Sequence, residues 1–282
     1  MKQVYIASAV RTPLGSFGGV FSNVPATDLG AAAIKGALEK AGISPEQVEE
    51  VFMGNVCSAN LGQAPARQAA IKAGLPNTVP CTTVNKVCSS GAKAIMFAAQ
   101  AIMTGQQDII IAGGMENMSA IPYYVPKARY GHKYGHGQIL DGLLRDGLTD
   151  AYDGNAMGVC ADKTAEKHGI SREEQDEFAS RSHQLAAQNK DKLAEEMVPV
   201  EVPPKFKQIT EDNGVRGDST KEKMAKLKPA FVKPHGTITA ANASFLTDGA
   251  SATMIMSEEK ALELGLKPKT ILKEFAYTGQ DL

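Results

Sequence analysis

The chain has 282 residues, 43% hydrophobic and 22% charged, with 30 Lys and Arg against 31 Asp and Glu for a net charge of −1. Such values fit a globular chain with length for a buried core in one large or two modest domains. With no long run of one sign there is no electrostatic case for nucleic acid or an anionic membrane surface, and no apolar stretch approaches the ~18 residues of a membrane span. The first nine residues read as a strand and not as a signal or transit peptide. Cys57, Cys81, Cys88 and Cys160 form no C-x-x-C pair, which predicts free thiols in a reducing, cytoplasmic setting.

Residues 4–10 are apolar enough for a buried strand, ended by Arg11-Thr12-Pro13. Gly15-Ser16-Phe17-Gly18-Gly19 is a flexible loop with neither the G-x-G-x-x-G spacing nor the G-K-[ST] ending of a phosphate cradle, so close packing against other backbone is the preferred reading. Thr27 or Asp28 can cap a helix over 29–40, which Gly42 stops. Residues 48–56 form a second strand, with Cys57 at its end as a small packing residue. A turn over 60–63, a helix over 64–73 closed by Gly74, a strand over 79–84 and a helix over 91–103 broken by Gly105 follow. Residues 108–112 are a continuous apolar strand ending in Gly113-Gly114. Alternating helices and apolar strands predict an α/β layer with helices on both faces.

Between about 119 and 237 strand signals thin out, and Pro, Tyr, Gly and charged residues rise. A helix over 155–168 precedes Gly169, and the capping-box spacing Ser171…Glu174 opens a long amphipathic helix to about 195. The stretch is too long for a simple loop and reads as an inserted helical subdomain with a binding role. Small residues return over 236–244, then a strand over 251–256, a helix over 258–264, and another strand beginning over 270–277.

Within this frame Val84-Asn85-Lys86-Val87-Cys88-Ser89-Ser90-Gly91 carries the chemistry. A cysteine between a strand and a helix start lies near free backbone N–H groups and the positive end of the helix dipole, both of which favour thiolate. Small residues after it leave room for an acyl group, so Cys88 is the candidate nucleophile.

These residues, with Gly113-Gly114-Met115-Glu116-Asn117-Met118-Ser119, Gly147-Leu148-Thr149-Asp150 and Asn242-Ala243-Ser244…Asp248-Gly249-Ala250, stand in the order of the thiolase family's motifs. The chain resembles a thiolase of the acetyl-CoA C-acetyltransferase (acetoacetyl-CoA thiolase) kind. Residues after about 180 are also similar to long-chain 3-ketoacyl-CoA thiolases. The resemblance implies a thiolase fold: a layered α/β N-terminal domain with a mixed sheet over 1–119 and 237–268, a CoA-covering loop domain over 120–236, and the start of a C-terminal domain over 269–282.

It also implies the reaction. Cys88 would take an acyl group as a thioester, and a second thiol or acyl-CoA would complete Claisen condensation of two acetyl-CoA to acetoacetyl-CoA, or the reverse thiolysis. The family's partner histidine, second cysteine and oxyanion asparagine belong to Gly-His-Pro, Cys-x-Gly-Gly-Gly and Asn-Glu-Ala-Phe segments that do not occur in this sequence. The chain therefore reads as a partial thiolase with a nucleophile but not its base, and no turnover is expected of it alone. Alternatives are a long-chain 3-ketoacyl-CoA thiolase fragment of fatty-acid β-oxidation and a non-catalytic CoA-binding or dimerising module.

By the same resemblance Leu148, Tyr152 and Met157 would line the CoA channel, with Ala156 where short-chain members often carry histidine. Arg216, Gly217, Asp218 and Lys221 would grip the nucleotide end, though a solvated charged face is the plainer reading of Arg216 and Lys221. Phe231 would pack on the pantetheine or adenine portion, bordered by Ala243 and Ser244. Tyr152, Ala240, Ala241 and Ala243 match a potassium site of mitochondrial members, with small residues at a tight backbone crossing an equal reading. No tightly bound cofactor is implied, CoA and acyl-CoA being substrates. His132 and His136 lack the acidic or thiol partners of a metal site and fall in the family's tetramer-forming loop. Homodimers or homotetramers, without nucleic acid or membrane, are the implied assembly, and Asn85-Lys86 would lie near the dimer contact.

Overall fold

A computed structural model describes residues 2–267 and 270–279. In chain order its strands are β1 (Val4–Arg11), β2 (Gly15–Ser16), β3 (Glu50–Gly54), β4 (Cys81–Val84), β5 (Ile109–Asn117), β6 (Tyr123–Tyr124), β7 (Leu140–Asp141), β8 (Val200–Val202), β9 (Lys207–Ile209), β10 (Thr247–Ser257) and β11 (Thr270–Ile271). Its α-helices are α1 (Ala26–Ala41), α2 (Pro65–Lys72), α3 (Ser90–Met103), α4 (Met157–His168), α5 (Arg172–Gln188), α6 (Lys190–Ala194), α7 (Lys221–Met224) and α8 (Glu258–Glu263). No helix among the described residues is long and apolar enough to cross a membrane.

One mixed sheet runs β11-β1-β10-β5-β3-β4, with β2 paired to β10. β3 is parallel to both β4 and β5, while β10 is antiparallel to β5 and β1. The apolar run of β5 is explained by burial on both faces. Ile109 and Ile111 join Leu29 and Ile34 of α1 and Ala69 of α2 in one core cluster. Ile110 and Ala112 join Ala94, Ala98 and Ile102 of α3 in the other. β10 divides the same way, Met254 and Met256 to the first face and Ile255 to the second. The predicted α/β layer with helices on both faces is what the chain forms.

Several boundaries move for physical reasons. α1 starts at Ala26 behind Pro25, with no side-chain cap; Thr27 and Asp28, expected as caps, lie in its first turn, where Lys72 Nζ donates to Thr27 Oγ1 at 2.9 Å. Gly42 and Gly169 end α1 and α4 in left-handed conformations (φ 68° and 64°), as read from the sequence. The capping box at Ser171 is formed, but the long helix it opens breaks at Asn189 into α5 and α6. β5 does not stop at Gly113-Gly114. It runs on to Asn117, and a Cβ on Gly113 would stand 2.0 Å from the carbonyl oxygen of Ser251 on β10. Of 270–277 only Thr270–Ile271 is paired, antiparallel to Tyr5 and Ile6 of β1; Tyr277 lies with its ring 3.9 Å from Lys93 Nζ of α3.

Residues 120–236 carry the hairpins β6/β7 and β8/β9 and helices α4–α7. They are tied to the sheet by Arg11, whose guanidinium grips Asp212 at 2.7 and 3.0 Å and Glu196 at 2.6 Å. Backbone bonds from Arg11 to Glu196 and from Val198 to Arg11 flank that clamp.

The first turn of α3 rests on β3: a Cβ on Gly54 would lie 2.7 Å from the amide nitrogen of Gly91 and 2.8 Å from Ser90 Cβ. Gly54→Ala is therefore expected to cost about 1–3 kcal/mol by overpacking, read as a lower urea midpoint with an unchanged slope.

Candidate active site

β3 and β4 run in parallel and end level, Gly54 opposite Val84, so the segments leaving them emerge together at the carboxyl edge of the sheet, where ligands of α/β sheets bind. One segment carries Cys57 and the other Cys88. Both thiols line a cavity of about 450 Å³ with Met115, Met118, Leu143 and Leu148. Cys88 is the exposed one of the four cysteines and Cys57 is buried.

Cys88 stands one residue before the N-cap of α3, Ser89, in a turn of unusual geometry. Val87 has φ +48°, a left-handed conformation that costs a β-branched residue about 1–3 kcal/mol and persists only where neighbours enforce it. The enforcing bonds are present. Asn85 Oδ1 accepts the Val87 N–H at 3.0 Å. Ser90 Oγ accepts the Lys86 N–H at 2.8 Å and donates to the Val87 carbonyl at 2.6 Å. The free N–H groups expected beside Cys88 are not all free: the Ser89 and Ser90 amides donate to the Lys86 and Val87 carbonyls at 3.2 and 3.1 Å.

The opposite wall is built on Glu116. Its carboxylate accepts from the Val56 N–H at 2.8 Å, from Asn55 Nδ2 at 3.1 Å and from the Cys57 N–H at 3.4 Å. Burial nevertheless outweighs these donors and holds its carboxyl above the ordinary range. The Cys57 thiol is pushed up to about 11, first by burial and then by the nearby Glu116 and Asp146 carboxylates. It stays protonated at neutral pH.

A second cavity, about 480 Å³, is lined by Arg216, His183, Phe245, Ala240, Ala241 and Ala243 among others. The His183 and Phe245 rings stack at 6.4 Å and 7°, and His183 Nδ1 accepts the Arg216 N–H at 3.3 Å. The strip 14–17 separates the cavities, Leu14 lining the first and Ser16 and Phe17 the second. Three of its amides are engaged: Leu14 N–H by Asp212 at 2.7 Å, Ser16 N–H by Asn213 at 2.6 Å, Phe17 N–H by the Leu246 carbonyl at 3.1 Å. Gly18 N–H donates to Ser119 Oγ at 2.8 Å and Gly19 N–H to the Ser16 carbonyl at 2.8 Å. The amides of 16–19 are thus taken by the protein's own acceptors, which favours the packed-loop reading of the glycine-rich stretch over a phosphate cradle.

The other candidates are distributed as follows. Leu148 stands with Cys88, whereas Arg216 and Ala243 stand in the second cavity. Tyr152, 78% exposed, lies on a turn held by Asp150 at 2.8 Å and lines neither cavity, so it is apart from Ala240 and Ala241. Met157 begins α4, and Phe231 packs against that helix start, where its ring leaves no room for a Cβ on Gly158. Gly217 presses on Ala187. Asp218 pairs with Lys223 at 2.9 Å, and Lys221 is engaged by Glu173 and, at 3.9 Å, by Glu177. Ser244 is exposed beside the second cavity, outside its lining.

Comparison with known proteins settles the kinship. The family described as thiolase, N-terminal domain, matches residues 4–259. The chain belongs to the thiolase family. It is 54% identical over 285 residues to an acetyl-CoA acetyltransferase of Schizosaccharomyces pombe, covering 99% of this chain and 72% of that protein. It is 51% identical over 289 residues to an acetyl-CoA acetyltransferase of Cupriavidus necator, with 100% and 72% covered. A probable acetyl-CoA acyltransferase of Staphylococcus aureus is 49% identical over 286 residues, with the same coverage.

The site of this thiolase includes side chains that the sequence reading passed over. Glu116 was visible within a quoted motif but had no assigned role, and Ser90 stood two residues from the nucleophile. His183 and Phe245 are far apart in the chain and had no local signal; only the fold stacks them.

The two cavity thiols should behave oppositely. At pH 8 iodoacetamide is expected to label Cys88 and spare Cys57, which should react only on unfolding or as pH nears its value of about 11. The unfolded thiol loses its proton from about 9 while the folded one keeps it, so stability should fall as pH rises from about 9 to about 11. In Cys57→Ala that part of the pH dependence should vanish, as measured by urea titrations across the range.

Proposed function

We propose that the chain transfers acyl groups between acyl-CoA thioesters through an acyl-Cys88 intermediate, with acetyl-CoA as donor. That acylation is the first half of the condensation of two acetyl-CoA to acetoacetyl-CoA, or of the reverse thiolysis. The observation that carries this is an exposed cysteine in an apolar cavity, divided by the strip 14–17 from a second cavity bearing Arg216 and the stacked His183 and Phe245. A thioester end suits the first cavity. An adenine ring suits the stacked pair, and a guanidinium suits phosphate. Arg216, Ala243 and the neighbouring Gly217 are on this reading the nucleotide-side contacts, Leu148 stands at the acyl end, and Met157 and Phe231 lie along the pantetheine or adenine portion. Lys221, Asp218, Ser244 and Tyr152 would contribute from the rim.

Chemically, Cys88 Sγ attacks the thioester carbonyl, the new C–S bond forms, and the CoA sulfur leaves with the electron pair and takes up a proton. Condensation further requires a base for the α-proton of the second acetyl group. Cys57, held protonated, does not supply one, and no histidine lines the cavity among the described residues. These residues therefore perform the acylation half, and the CoA-binding module is the reading that remains should acylation fail.

Assembly into homodimers or homotetramers belongs to the same reading. It is supported by β4 standing at the edge of the sheet directly before the nucleophile and by exposed Tyr130, Tyr134 and Ile139 on the segment between β6 and β7. A potassium ion would be held by carbonyls of Ala240, Ala241 and Ala243, which share one cavity; Tyr152, outside that lining, would have to move to join them. A cytoplasmic location fits the free thiols.

Incubation with acetyl-CoA should add one acetyl group to Cys88 by mass spectrometry, and none to Cys88→Ser, without accumulation of acetoacetyl-CoA. An unmodified Cys88 would sink the transferase reading, and sustained acetoacetyl-CoA formation would sink the statement about the base.

A further inference from the structure

The turn that presents Cys88 holds an unfavourable conformation, and one side chain closes it. Val87 is 53% exposed, so burial of its own side chain does not fix its left-handed backbone. Ser90 is buried, and its hydroxyl bridges two peptide groups N-terminal to Cys88, taking the Lys86 N–H and giving to the Val87 carbonyl. A group that both donates and accepts from one small atom is required there. Space is limited, since a Cβ on Gly54 would meet Ser90 Cβ at 2.8 Å. We propose that Ser90 is a positioning residue for the nucleophile: its hydroxyl locks Val87 at positive φ and so fixes the direction in which Cys88 enters the cavity. The acyl-acceptor role of Cys88 rests on the function proposed above, whereas the positioning rests on the turn.

Without the bridge, Val87 relaxes toward negative φ, where L-residues are unstrained. The Val87–Cys88 peptide then rotates and carries the Cα–Cβ bond of Cys88 with it. The helix start keeps the Ser89 N–H bond to the Lys86 carbonyl at 3.2 Å. Asn85 Oδ1 retains its bond to the Val87 N–H, and the Val87 carbonyl is left with the Ser90 N–H at 3.1 Å without the shorter 2.6 Å hydroxyl bond, a single longer hold that lets the peptide turn.

The test compares the full chain as wild type, Ser90→Ala, Val87→Gly and the double variant. Two rates are read: alkylation of Cys88 by iodoacetamide, and its acetylation at varied acetyl-CoA, with melting temperature monitored alongside. Ser90→Ala is expected to lower the maximal acetylation rate about tenfold to a hundredfold, the scale of a misplaced reacting group. The half-saturating acetyl-CoA concentration should stay within about twofold, because the second cavity, which takes the nucleotide end on this reading, is untouched. Adding Val87→Gly should restore most of that loss, since glycine takes positive φ without steric cost. A merely structural Ser90 predicts the reverse: a lower melting temperature, folded protein reacting at the wild-type rate, and no rescue by glycine. That result overturns the proposal. Should Ser90→Ala alone fail to fold, Val87→Gly and the double variant decide it: equal rates support the lock, and a double variant about tenfold slower overturns it. If wild-type Cys88 takes iodoacetamide but no acetyl group, and Ser90→Ala slows the alkylation, the transferase reading falls and the positioning stands.

Discussion

Helix α3 begins with its first turn resting on bare backbone, and the place of Cys88 follows from that contact. Gly54 of β3 and Gly91 of α3 meet where a side chain on Gly54 would overlap a main-chain amide nitrogen at 2.7 Å. A Cβ on Gly114 of β5 would be 3.5 Å from Gly91 Cα, so the same glycine faces the neighbouring strand closely. Steric exclusion, which admits no continuous adjustment in a close-packed interior, thus fixes the height of the helix start above the sheet. The parallel pairing of β3 with β4 then brings the second cysteine-bearing segment alongside.

Around this seat the polar groups divide the labour. Glu116, projecting from β5, collects the donors of 55–57 and braces one wall from inside. Asp212 does the corresponding work from the inserted region. Burial pushes its carboxyl up, but Arg11 and the Leu14 N–H more than offset this and hold it below the ordinary range. One clamp organises a wall of the thiol cavity, and the other attaches residues 196–212 to the strip beside it. Both are carboxylates whose partners are mostly backbone or bidentate, geometries that specify a position as well as a charge.

The sequence was most legible where structure is decided locally. Glycine stops at Gly42 and Gly169, the capping box at Ser171 and the doubly apolar β5 needed no knowledge of distant residues. It misled where a distant contact governs. Gly113 read as the end of a strand, yet it is glycine because Ser251 of β10 leaves no space for a side chain. The break at Asn189 has neither Gly nor Pro to announce it. Of the residues that line the two cavities, Cys88 was singled out from its motif, and Arg216 and Ala243 from resemblance. Cys57 read as a packing residue, and it is one, buried under Glu116; that it also walls the nucleophile's cavity follows from parallel strands ending level, a property of topology. The pairing of His183 with Phe245 and the bridging by Ser90 depend on geometry that no spacing rule expresses.

The strip from Leu14 to Phe17 is a partition shared by two chambers, anchored by main-chain bonds to Asp212, Asn213 and Leu246. Leu14 packs on Gly249 at the thiol end while Phe17 faces the other chamber. These bonds order the strip before any ligand arrives, so a ligand reaching into both chambers would meet a wall already in place and pay little to immobilise it.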